Sequence, residues 1–236
     1  MKAVILAGGQ GTRMGEETVL RPKPLVEVGG RPIIWHILKH YHHYGISDFI
    51  VCAGYAGKQI AEHFVKEKSP DWRVQVVDTG LDTGTGGRLK RIQHLVGDDR
   101  FCMTYGDGVA DVNLKDLLEF HRAQRKLVTV TAVQPVLPFG VITFKTIGGG
   151  TVEFEEKPRL HAVWVNSGFF VIEPRALDVI EGDDTAWENG PLTRLAGDTQ
   201  LAAFRHQGFW QCMDTPKDRQ ALEELWAKGQ APWKVW

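Results

Sequence analysis

The sequence predicts an α/β fold built on a mixed, mainly parallel central sheet that helices cover on both faces. Three observations predict it. Apolar strand-like runs alternate with amphipathic helical runs over the first half of the chain. Glycines follow the ends of several of these runs, which is typical of backbone that turns sharply at the edge of a parallel sheet. The composition of the 236-residue chain, 43% hydrophobic and 24% charged, is that of a globular protein that holds a core without disulfide or metal.

The elements of the first half follow from the spacing of the apolar residues. Residues 2–7 form an apolar run that ends at Gly8, which is typical of a buried strand. Residues 32–44 carry apolar side chains at helical spacing and are followed by Gly45, a helix stop. The same reasoning predicts strands at 48–53, 72–78, 101–105 and 127–133 and helices at 58–68, 87–96 and 114–124.

After residue 135 the pattern changes to short strands interrupted by short helices. The predicted strands are 140–144, 151–154, 163–172, 201–204 and 209–213, and the predicted helices lie near 175–180, 191–196 and 218–228. The sequence contains no linker, repeat or low-complexity segment between the two halves. We therefore expect one domain.

The charge balance and the cysteines exclude several classes of protein. The 28 Lys and Arg residues against 29 Asp and Glu residues give a net charge of -1, which disfavours nucleic-acid binding and a polybasic membrane patch. Every apolar run is shorter than the roughly 18 residues of a membrane span, and the N-terminus is too short and Gly-rich for a signal peptide. Cys52, Cys102 and Cys212 are odd in number and widely spaced, which predicts free thiols and a reducing, cytoplasmic location.

A glycine-rich loop after the first predicted strand is the strongest local sign of a ligand site. The small residues at 8–12 leave backbone N–H groups that can cradle an anion. The guanidinium of Arg13 can donate two parallel hydrogen bonds to phosphate oxygens, and the ammonium of Lys23 can supply a single positive charge. No Walker A string occurs, and Met14 stands where a Rossmann fingerprint needs its third glycine. The residues alone predict phosphate binding, and a solvated turn remains the alternative.

Several motifs, in order along nearly the whole chain, resemble those of one enzyme family. They are Gly8-Gly9-Gln10-Gly11-Thr12-Arg13, Arg21-Pro22-Lys23-Pro24, Thr85-Gly86-Gly87-Arg88, Gly106-Asp107-Gly108, Glu156-Lys157-Pro158 and Met213-Asp214-Thr215. The set is similar to that of the sugar-1-phosphate nucleotidyltransferases, and within them to the glucose-1-phosphate cytidylyltransferases. The resemblance implies a single Rossmann-like, GT-A-like nucleotidyltransferase domain over residues 1–236. Its nucleotide-binding half would be 1–135 and its sugar-phosphate-binding half 136–236.

The resemblance implies roles for residues of the nucleotide half. Arg13, Lys23 and Asp107 would be catalytic, with Arg13 binding the leaving pyrophosphate and Lys23 stabilising charge at the α-phosphate. The implied nucleotide-binding residues are Leu6, Gly8, Gly9, Gly11, Thr12, Arg13, Lys23, Thr85, Gly86, Gly87, Arg88, Asp107 and Gly108. Residues 85–88 would begin a helix, whose first N–H groups lack partners within the helix and favour negative charge.

The resemblance also implies a metal site and a sugar-phosphate site. Asp107 and Asp214 would hold Mg²⁺, which takes one or two carboxylates together with phosphate oxygens and water. The implied sugar-phosphate-binding residues are Gly140, Glu156, Lys157, Asn166 and Trp187. Lys157 would hold the phosphate, Asn166 would hydrogen bond to hydroxyls, and Trp187 belongs to a segment that would close over the hexose.

The implied reaction transfers a cytidylyl group from CTP to glucose 1-phosphate, or a close hexose 1-phosphate, in one in-line displacement that releases pyrophosphate. Two alternatives stay open: a nucleotidyltransferase for another triphosphate or a modified sugar phosphate, and a non-catalytic nucleotide-sensing domain. The expected partners are these small molecules and further copies of the chain in a homo-oligomer, with no nucleic acid and no membrane. His36, His40 and His43 share a predicted helix face without the H-E-x-x-H pattern of a zinc site, so we expect them at a packing contact.

Overall fold

A computed structural model describes residues 1–15, 21–136, 139–157 and 163–236 of the chain. Pro158, the last residue of the Glu156-Lys157-Pro158 motif, lies outside these residues. Within the described ranges, no helix combines the length and the apolar character that a membrane crossing requires.

The chain alternates strands and helices up to residue 133 and has shorter elements beyond it. The first set is β1 (Ala3–Ala7), β2 (Glu27–Val28), β3 (Arg31–Pro32), α1 (Ile33–His43), β4 (Asp48–Ala53), α2 (Gly57–Lys66), β5 (Arg73–Asp78), α3 (Thr85–Arg91), α4 (Gln93–Val96), β6 (Phe101–Tyr105), β7 (Gly108–Ala110), α5 (Leu114–Gln124) and β8 (Val128–Val133). The second set is β9 (Val141–Phe144), β10 (Val152–Glu155), β11 (Val165–Ile172), α6 (Pro191–Gly197), β12 (Leu201–His206), β13 (Trp210–Cys212) and α7 (Pro216–Ala227). Short 3-10 turns lie at Thr12–Met14, Lys23–Leu25 and Pro174–Val179.

Seven strands form the central sheet, in the order β12-β8-β11-β6-β1-β4-β5. The pairs β1–β4, β1–β6, β4–β5 and β8–β12 are parallel. Among the described strands of this sheet, β11 alone runs antiparallel to its neighbours, β6 and β8. The sheet is mixed and mainly parallel, which confirms the predicted fold class. As a result, the carboxyl ends of β1, β4, β5 and β6 and the beginning of β11 meet at one edge.

Helices cover both faces of this sheet, because alternate residues of each buried strand point to opposite sides. On one face, Ile5 of β1 belongs to a cluster with Ile37 of α1 and Leu117 of α5. On the other face, Val4 belongs to a cluster with Leu89 of α3. These two apolar layers fix the strand ends that carry the site.

A third apolar cluster joins the two ends of the chain. Trp233, near the C-terminus, is fully buried and packs in a cluster with Met14 and Met213. Met14 follows Arg13, and Met213 precedes Asp214. The cluster therefore anchors two segments of the predicted site beside one buried tryptophan.

The structure departs from the predicted elements at several positions. The three-residue strand β7 was not predicted, because it is too short to show an alternating pattern. The helix predicted at 87–96 is two helices, α3 and α4, and the segment near 175–180 is a 3-10 turn. The β2–β3 hairpin was not predicted, because strands of two residues are too short to show an alternating pattern.

His36 and His40 make packing contacts from α1, whereas His43 is exposed. His36 and His40 are buried, and their Nε2 atoms lie 2.9 Å from the carbonyl oxygens of Val28 and Val112. Trp233 Nε1 donates to His36 Nδ1 at 3.3 Å.

Candidate active site

A cleft of about 630 Å³ opens at the carboxyl edge of the sheet. Ligands bind at this edge in open α/β sheets, because the loops that leave the strands there are free to shape a crevice. The predicted site residues that line the cleft are Leu6, Gly8, Gly9, Gly11, Thr12, Arg13, Lys23, Thr85, Arg88, Asp107, Asn166 and Asp214. Residues far apart in the chain are thus brought to one place.

The glycine-rich loop leaves β1 and forms one side of the cleft. Gly11 adopts a left-handed conformation with φ of 65°, which favours glycine, and the chain then enters the Thr12–Met14 turn. Met14 is fully buried, so the end of the loop is anchored in the core. The Arg13 side chain stays 74% exposed and reaches Asp214 Oδ2 at 3.0 Å.

Lys23 lies at the centre of the charged part of the cleft. It begins the Lys23–Leu25 turn, is flanked by two prolines, and is 8% exposed. Its Nζ atom lies 2.7 Å from Asp107 Oδ2 and 2.6 Å from Asp214 Oδ1. One ammonium group therefore bridges two carboxylates that would otherwise repel each other.

The charges of this group stabilise one another. Burial disfavours the Lys23 ammonium, but Asp107 and Asp214 outweigh this effect, and the pKa of Lys23 is raised. Burial also disfavours the Asp214 carboxylate, but the hydrogen bond and charge of Lys23, with the charge of Arg13, lower the pKa of Asp214. Lys23 and Asp214 are both charged at neutral pH.

Asp107 and Asp214 form a donor set that fits a hard divalent cation. Asp107 lies in the turn between β6 and β7, and Asp214 lies just after β13, which pairs with β7. Met213 N donates to Asp107 O at 2.8 Å and fixes the two segments side by side. Both carboxylates already converge on one cation, the ammonium of Lys23. Two carboxylates suit Mg²⁺, which completes its shell with water and phosphate oxygens; the described residues contain no cluster of three or more candidate metal ligands.

The beginning of α3 differs from the prediction. Gly86 N and Gly87 N donate to Thr185 O at 2.9 and 3.1 Å, and Gly84 N donates to Asp183 O at 2.7 Å. A Cβ atom at Gly87 would lie 2.1 Å from Asp183 O, so this glycine allows close packing of the 183–185 segment. The prediction that Gly86 and Gly87 offer free N–H groups to a nucleotide is wrong, because neighbouring carbonyls already accept from them. Thr85 does line the cleft.

Arg88 is buried under the cleft and was predicted to contact the nucleotide. It is 4% exposed, and its guanidinium donates to carbonyl and hydroxyl oxygens of the protein, including Gly8 O at 3.2 Å and Thr79 Oγ1 at 2.7 Å. The guanidinium is therefore held by protein oxygens in this conformation, and since Arg88 also lines the cleft, its assignment to nucleotide binding stays a prediction. Gly108 lies buried in β7, directly after Asp107, and pairs with Cys212.

Asn166 also lines the cleft. It begins the bulged part of β11, and its Oδ1 accepts from Gly168 N at 2.7 Å. Gly168 has φ of 87°, and a Cβ atom there would lie 2.4 Å from the Tyr105 ring. Asn166 Nδ2 donates to the Tyr105 hydroxyl at 3.4 Å. The bulge therefore places an amide and a phenol together at the cleft, where both can meet hydroxyl groups.

Trp187 is not a cleft residue, which corrects the prediction that it closes over a sugar. It is fully buried and lies 6.3 Å from the Phe170 ring, centroid to centroid. Its large apolar ring is stabilised by the core on that face of the sheet. The neighbouring Glu188 carries the polar contacts instead: it accepts from the Tyr105 hydroxyl and, at 2.6 Å, from Thr85 Oγ1.

Three further predicted sugar-phosphate residues lie on the separate β9–β10 hairpin. Gly140 precedes β9, and a Cβ atom there would lie 2.4 Å from the Phe154 ring. Glu156 and Lys157 follow β10, with Lys157 Nζ 3.7 Å from Glu156 Oε1. The structure brings these three residues together, outside the set that lines the cleft.

Several lining residues were missed by the sequence reasoning. Tyr105, Thr83, Trp210 and Cys212 line the cleft. Tyr105 ends the strand that precedes the Gly106-Asp107-Gly108 motif, so its position at the carboxyl edge was a usable signal. Burial and the nearby Glu188 carboxylate raise the pKa of Tyr105, so its hydroxyl remains a hydrogen-bond donor at neutral pH.

The chain matches the nucleotidyl transferase family over residues 2–211 and belongs to that family. Similar proteins of known name indicate which nucleotidyl transferases it resembles. It is 47% identical over 258 residues to a glucose-1-phosphate cytidylyltransferase of Salmonella typhimurium, with 100% of both chains covered. It is 40% identical over 257 residues to a probable glucose-1-phosphate cytidylyltransferase of Bacillus subtilis, again with 100% of both chains covered. Within the family, the chain groups with these cytidylyltransferases, as its motifs predict.

Solved structures show the same fold at low sequence identity. HddC from Yersinia pseudotuberculosis complexed with GMP-PN has a TM-score of 0.75 and 20% identity, covering 95% of this chain and 99% of that one. A UDP-glucose pyrophosphorylase complexed with UDP-glucose has a TM-score of 0.73 and 16% identity, covering 97% and 98%. These likenesses support the fold alone.

Proposed function

We propose that this chain transfers a cytidylyl group from CTP to glucose 1-phosphate, giving CDP-glucose and pyrophosphate. The observation that carries the proposal is the full-length similarity to relatives named for this activity. The cleft supports the same chemistry, because Lys23, Arg13 and the two carboxylates gather where a nucleotide enters an α/β sheet.

The reaction asks the protein to align two anions that repel each other. A phosphate oxygen of the sugar phosphate attacks the α-phosphorus in line, and pyrophosphate leaves. The phosphate monoester is already anionic at neutral pH, so the reaction needs no general base. Catalysis then rests on positioning and on neutralising the charge of the transition state.

The cations of the cleft suit these tasks. The exposed Arg13 side chain, 3.0 Å from Asp214, is free to swing onto the leaving pyrophosphate. Lys23 Nζ lies within hydrogen-bond distance of two carboxylates and can exchange one of them for an α-phosphate oxygen. Gly8, Gly9, Gly11 and Thr12 would wrap the triphosphate, with Leu6 beneath them.

Asp107 and Asp214 are the residues that would hold Mg²⁺. When bound, Mg²⁺ would neutralise phosphate oxygens and help to orient the two substrates. The ammonium of Lys23 holds the two carboxylates close together before substrates enter.

The proposal also covers the sugar phosphate. We assign glucose hydroxyls to Asn166, beside Tyr105, and the sugar phosphate to Lys157 with Glu156 and Gly140 on the hairpin. This assignment makes residues 1–135 the nucleotide-binding half and 136–236 the sugar-phosphate-binding half of one domain. Asp214 is the metal ligand that the second half contributes to the first.

Pyrophosphate release tests the proposal. The purified chain is incubated with Mg²⁺ and α-D-glucose 1-phosphate and with CTP, UTP, dTTP, ATP or GTP in turn. We expect turnover with CTP alone. If another triphosphate supports turnover, that triphosphate takes the place of CTP in the proposal. If none of the five releases pyrophosphate, the enzyme uses a different sugar phosphate. Binding of CTP without turnover for any sugar phosphate would favour a nucleotide-sensing domain.

We also propose that the chain forms a homo-oligomer in the cytoplasm. Ile142, Phe144, Val152 and Phe154 are paired across the β9–β10 hairpin and lie on one of its faces, with each side chain at least 42% exposed. Such an apolar face favours association with another surface. Light scattering after size exclusion measures the mass, and a single-chain mass would overturn the oligomer.

A further inference from the structure

The guanidinium of Arg88 is buried at a junction of three chain segments. Its terminal nitrogens donate over distances of 2.7 to 3.2 Å to Gly8 O, Ala53 O, Thr79 Oγ1, Gly80 O and Leu81 O. Gly8 follows β1, Ala53 ends β4, and the 79–81 segment follows β5. One side chain from α3 therefore ties together three neighbouring strand ends, and the first of them begins the glycine loop.

Two glycines leave room for this side chain. A Cβ atom at Gly8 would lie 2.2 Å from Arg88 Nη1 and 2.3 Å from its Cζ. A Cβ atom at Gly54 would lie 2.5 Å from the same Nη1. Contacts this short do not occur, so any larger residue at Gly8 would displace the guanidinium. Gly8 thus serves the packing of Arg88, in addition to any contact with a nucleotide.

The charge of Arg88 is compensated differently from that of its neighbour Arg91. Arg91 forms a two-pronged ion pair with Asp183, at 2.8 and 2.6 Å. The acceptors of Arg88 named above are all neutral oxygens, and the nearby Asp78 carboxylate acts on the guanidinium through its charge without forming any of these hydrogen bonds. A buried cation among neutral groups is costly, and a nearby anion relieves the cost. In the proposed function, the triphosphate on the glycine loop is a further anion.

We propose that Arg88 is a positioning residue: it holds the glycine loop in the conformation that binds a nucleoside triphosphate, and the triphosphate adds negative charge near the guanidinium. The inference rests on the proposed function, since it assumes a triphosphate at this loop. Arg88 acts through Gly8 and the adjoining strand ends. It does not itself need to touch the substrate.

The test compares Arg88→Ala with the matched control Arg91→Ala, one turn along the same helix. Initial rates give the KM values for CTP and glucose 1-phosphate, and calorimetry gives the Kd for CTP alone. We expect Arg88→Ala to raise the Kd and KM for CTP at least about tenfold, which is about 1.4 kcal/mol, and to change the KM for glucose 1-phosphate less than about threefold. Arg91→Ala should leave both KM values within about twofold of the wild type.

Chemical rescue separates positioning from a general loss of structure. Guanidinium ion at millimolar concentration fits the space that Arg88→Ala opens, so it should restore CTP binding in that variant and not change it in Arg91→Ala. If Arg88→Ala does not fold, Arg88→Lys is measured in its place, because lysine keeps the positive charge but cannot donate the paired hydrogen bonds of a guanidinium. We expect CTP affinity between those of the wild type and a neutral variant.

Three results would overturn the inference. They are unchanged CTP affinity in Arg88→Ala, an equal rise in both KM values, or a folded variant that guanidinium does not rescue. A wild-type chain that binds no nucleoside triphosphate would instead overturn the proposed function. The two failures are therefore distinguishable.

Discussion

The ammonium group of Lys23 lies 2.6 Å from Asp214 Oδ1, although 191 residues separate the two in the chain. Lys23 follows the glycine loop, and Asp214 precedes the C-terminal helix α7. The contact joins, at the cleft, a segment near the N-terminus to a segment near the C-terminus. It also means that the site exists only once the C-terminal segment has packed, because the cluster around Trp233 anchors Met213, the residue before Asp214.

Lys23→Met should remove most of the activity. The substitution leaves Asp107 and Asp214 without their shared cation and removes the charge next to the α-phosphate. We expect kcat to fall by about 10²- to 10³-fold, as for the loss of one electrostatic stabiliser. Steady-state rates measure this. The control is Arg21→Gln, in the same motif as Lys23. It breaks an exposed ion pair with Glu27 and should stay near the wild-type rate.

Asp107→Asn should lose Mg²⁺-dependent turnover while the fold survives. The side chain is 29% exposed, so its replacement by an amide of the same shape leaves the packing intact, but the amide is a poor ligand for Mg²⁺. Activity is titrated against Mg²⁺, and thermal unfolding checks the fold. Asp71→Asn, an exposed carboxylate beyond α2, serves as control. Near-wild-type activity in Asp107→Asn would remove this residue from the metal site.

Lys157→Ala should raise the KM for glucose 1-phosphate at least about tenfold and the KM for CTP less than about twofold. Lys157 is expected to bind the sugar phosphate, and its present partner, Glu156, is 3.7 Å away. Lys145→Ala removes a lysine from the same hairpin, where it pairs with Glu153 at 2.9 Å, and should change neither value. Equal rises in both KM values for Lys157→Ala would move this lysine out of the sugar site.

Trp187→Phe should cost stability and leave substrate binding unchanged. The ring is fully buried against Phe170, and the smaller ring leaves a cavity, so we expect a loss of about 1–2 kcal/mol in the free energy of unfolding. Urea unfolding measures the loss, and initial rates give the KM values. A rise in the KM for glucose 1-phosphate with unchanged stability would restore Trp187 to the sugar site.

The buried His40 should make stability fall as the pH drops. Burial lowers the pKa of His40 from 6.5 to about 4, so the unfolded chain takes up a proton between these values that the folded chain does not. This contribution is fully present above pH 6.5 and is lost as the pH falls toward 4. Between pH 7 and pH 5 it amounts to about 2 kcal/mol.

His40→Gln should reduce that loss, because an amide can still donate to Val112 O and does not titrate. Urea unfolding at pH 7 and pH 5 gives the comparison. His94→Gln, at an exposed position of α4, should keep the wild-type loss. The same loss in His40→Gln as in the wild type would show that other groups set the pH dependence.

Local sequence patterns were sufficient to predict the sheet and most helices. A buried strand such as 3–7 and a helix such as 33–43 have a spacing of apolar residues that does not depend on distant partners. The two-residue strands β2 and β3 carry no such pattern, because they form only by pairing with each other. Motif resemblance likewise pointed to Lys23, Asp107 and Asp214, and the structure brings these three residues to one cleft.

The errors in the site arise where long-range packing decides what a side chain does. The N–H groups of Gly86 and Gly87 meet carbonyls of the 183–185 segment, about 100 positions further along the chain. Trp187 joins the core. Each of these outcomes depends on a neighbour that spacing in the sequence does not reveal.

Isotope transfer tests the central claim most directly. The chain is incubated with Mg²⁺, unlabelled CTP and glucose 1-phosphate carrying ¹⁸O in its phosphate group, and the products are analysed by mass spectrometry. Attack of the sugar phosphate on the α-phosphorus predicts CDP-glucose that keeps all of the ¹⁸O and pyrophosphate that carries none. Label in the pyrophosphate, or consumption of CTP without CDP-glucose, would contradict the account.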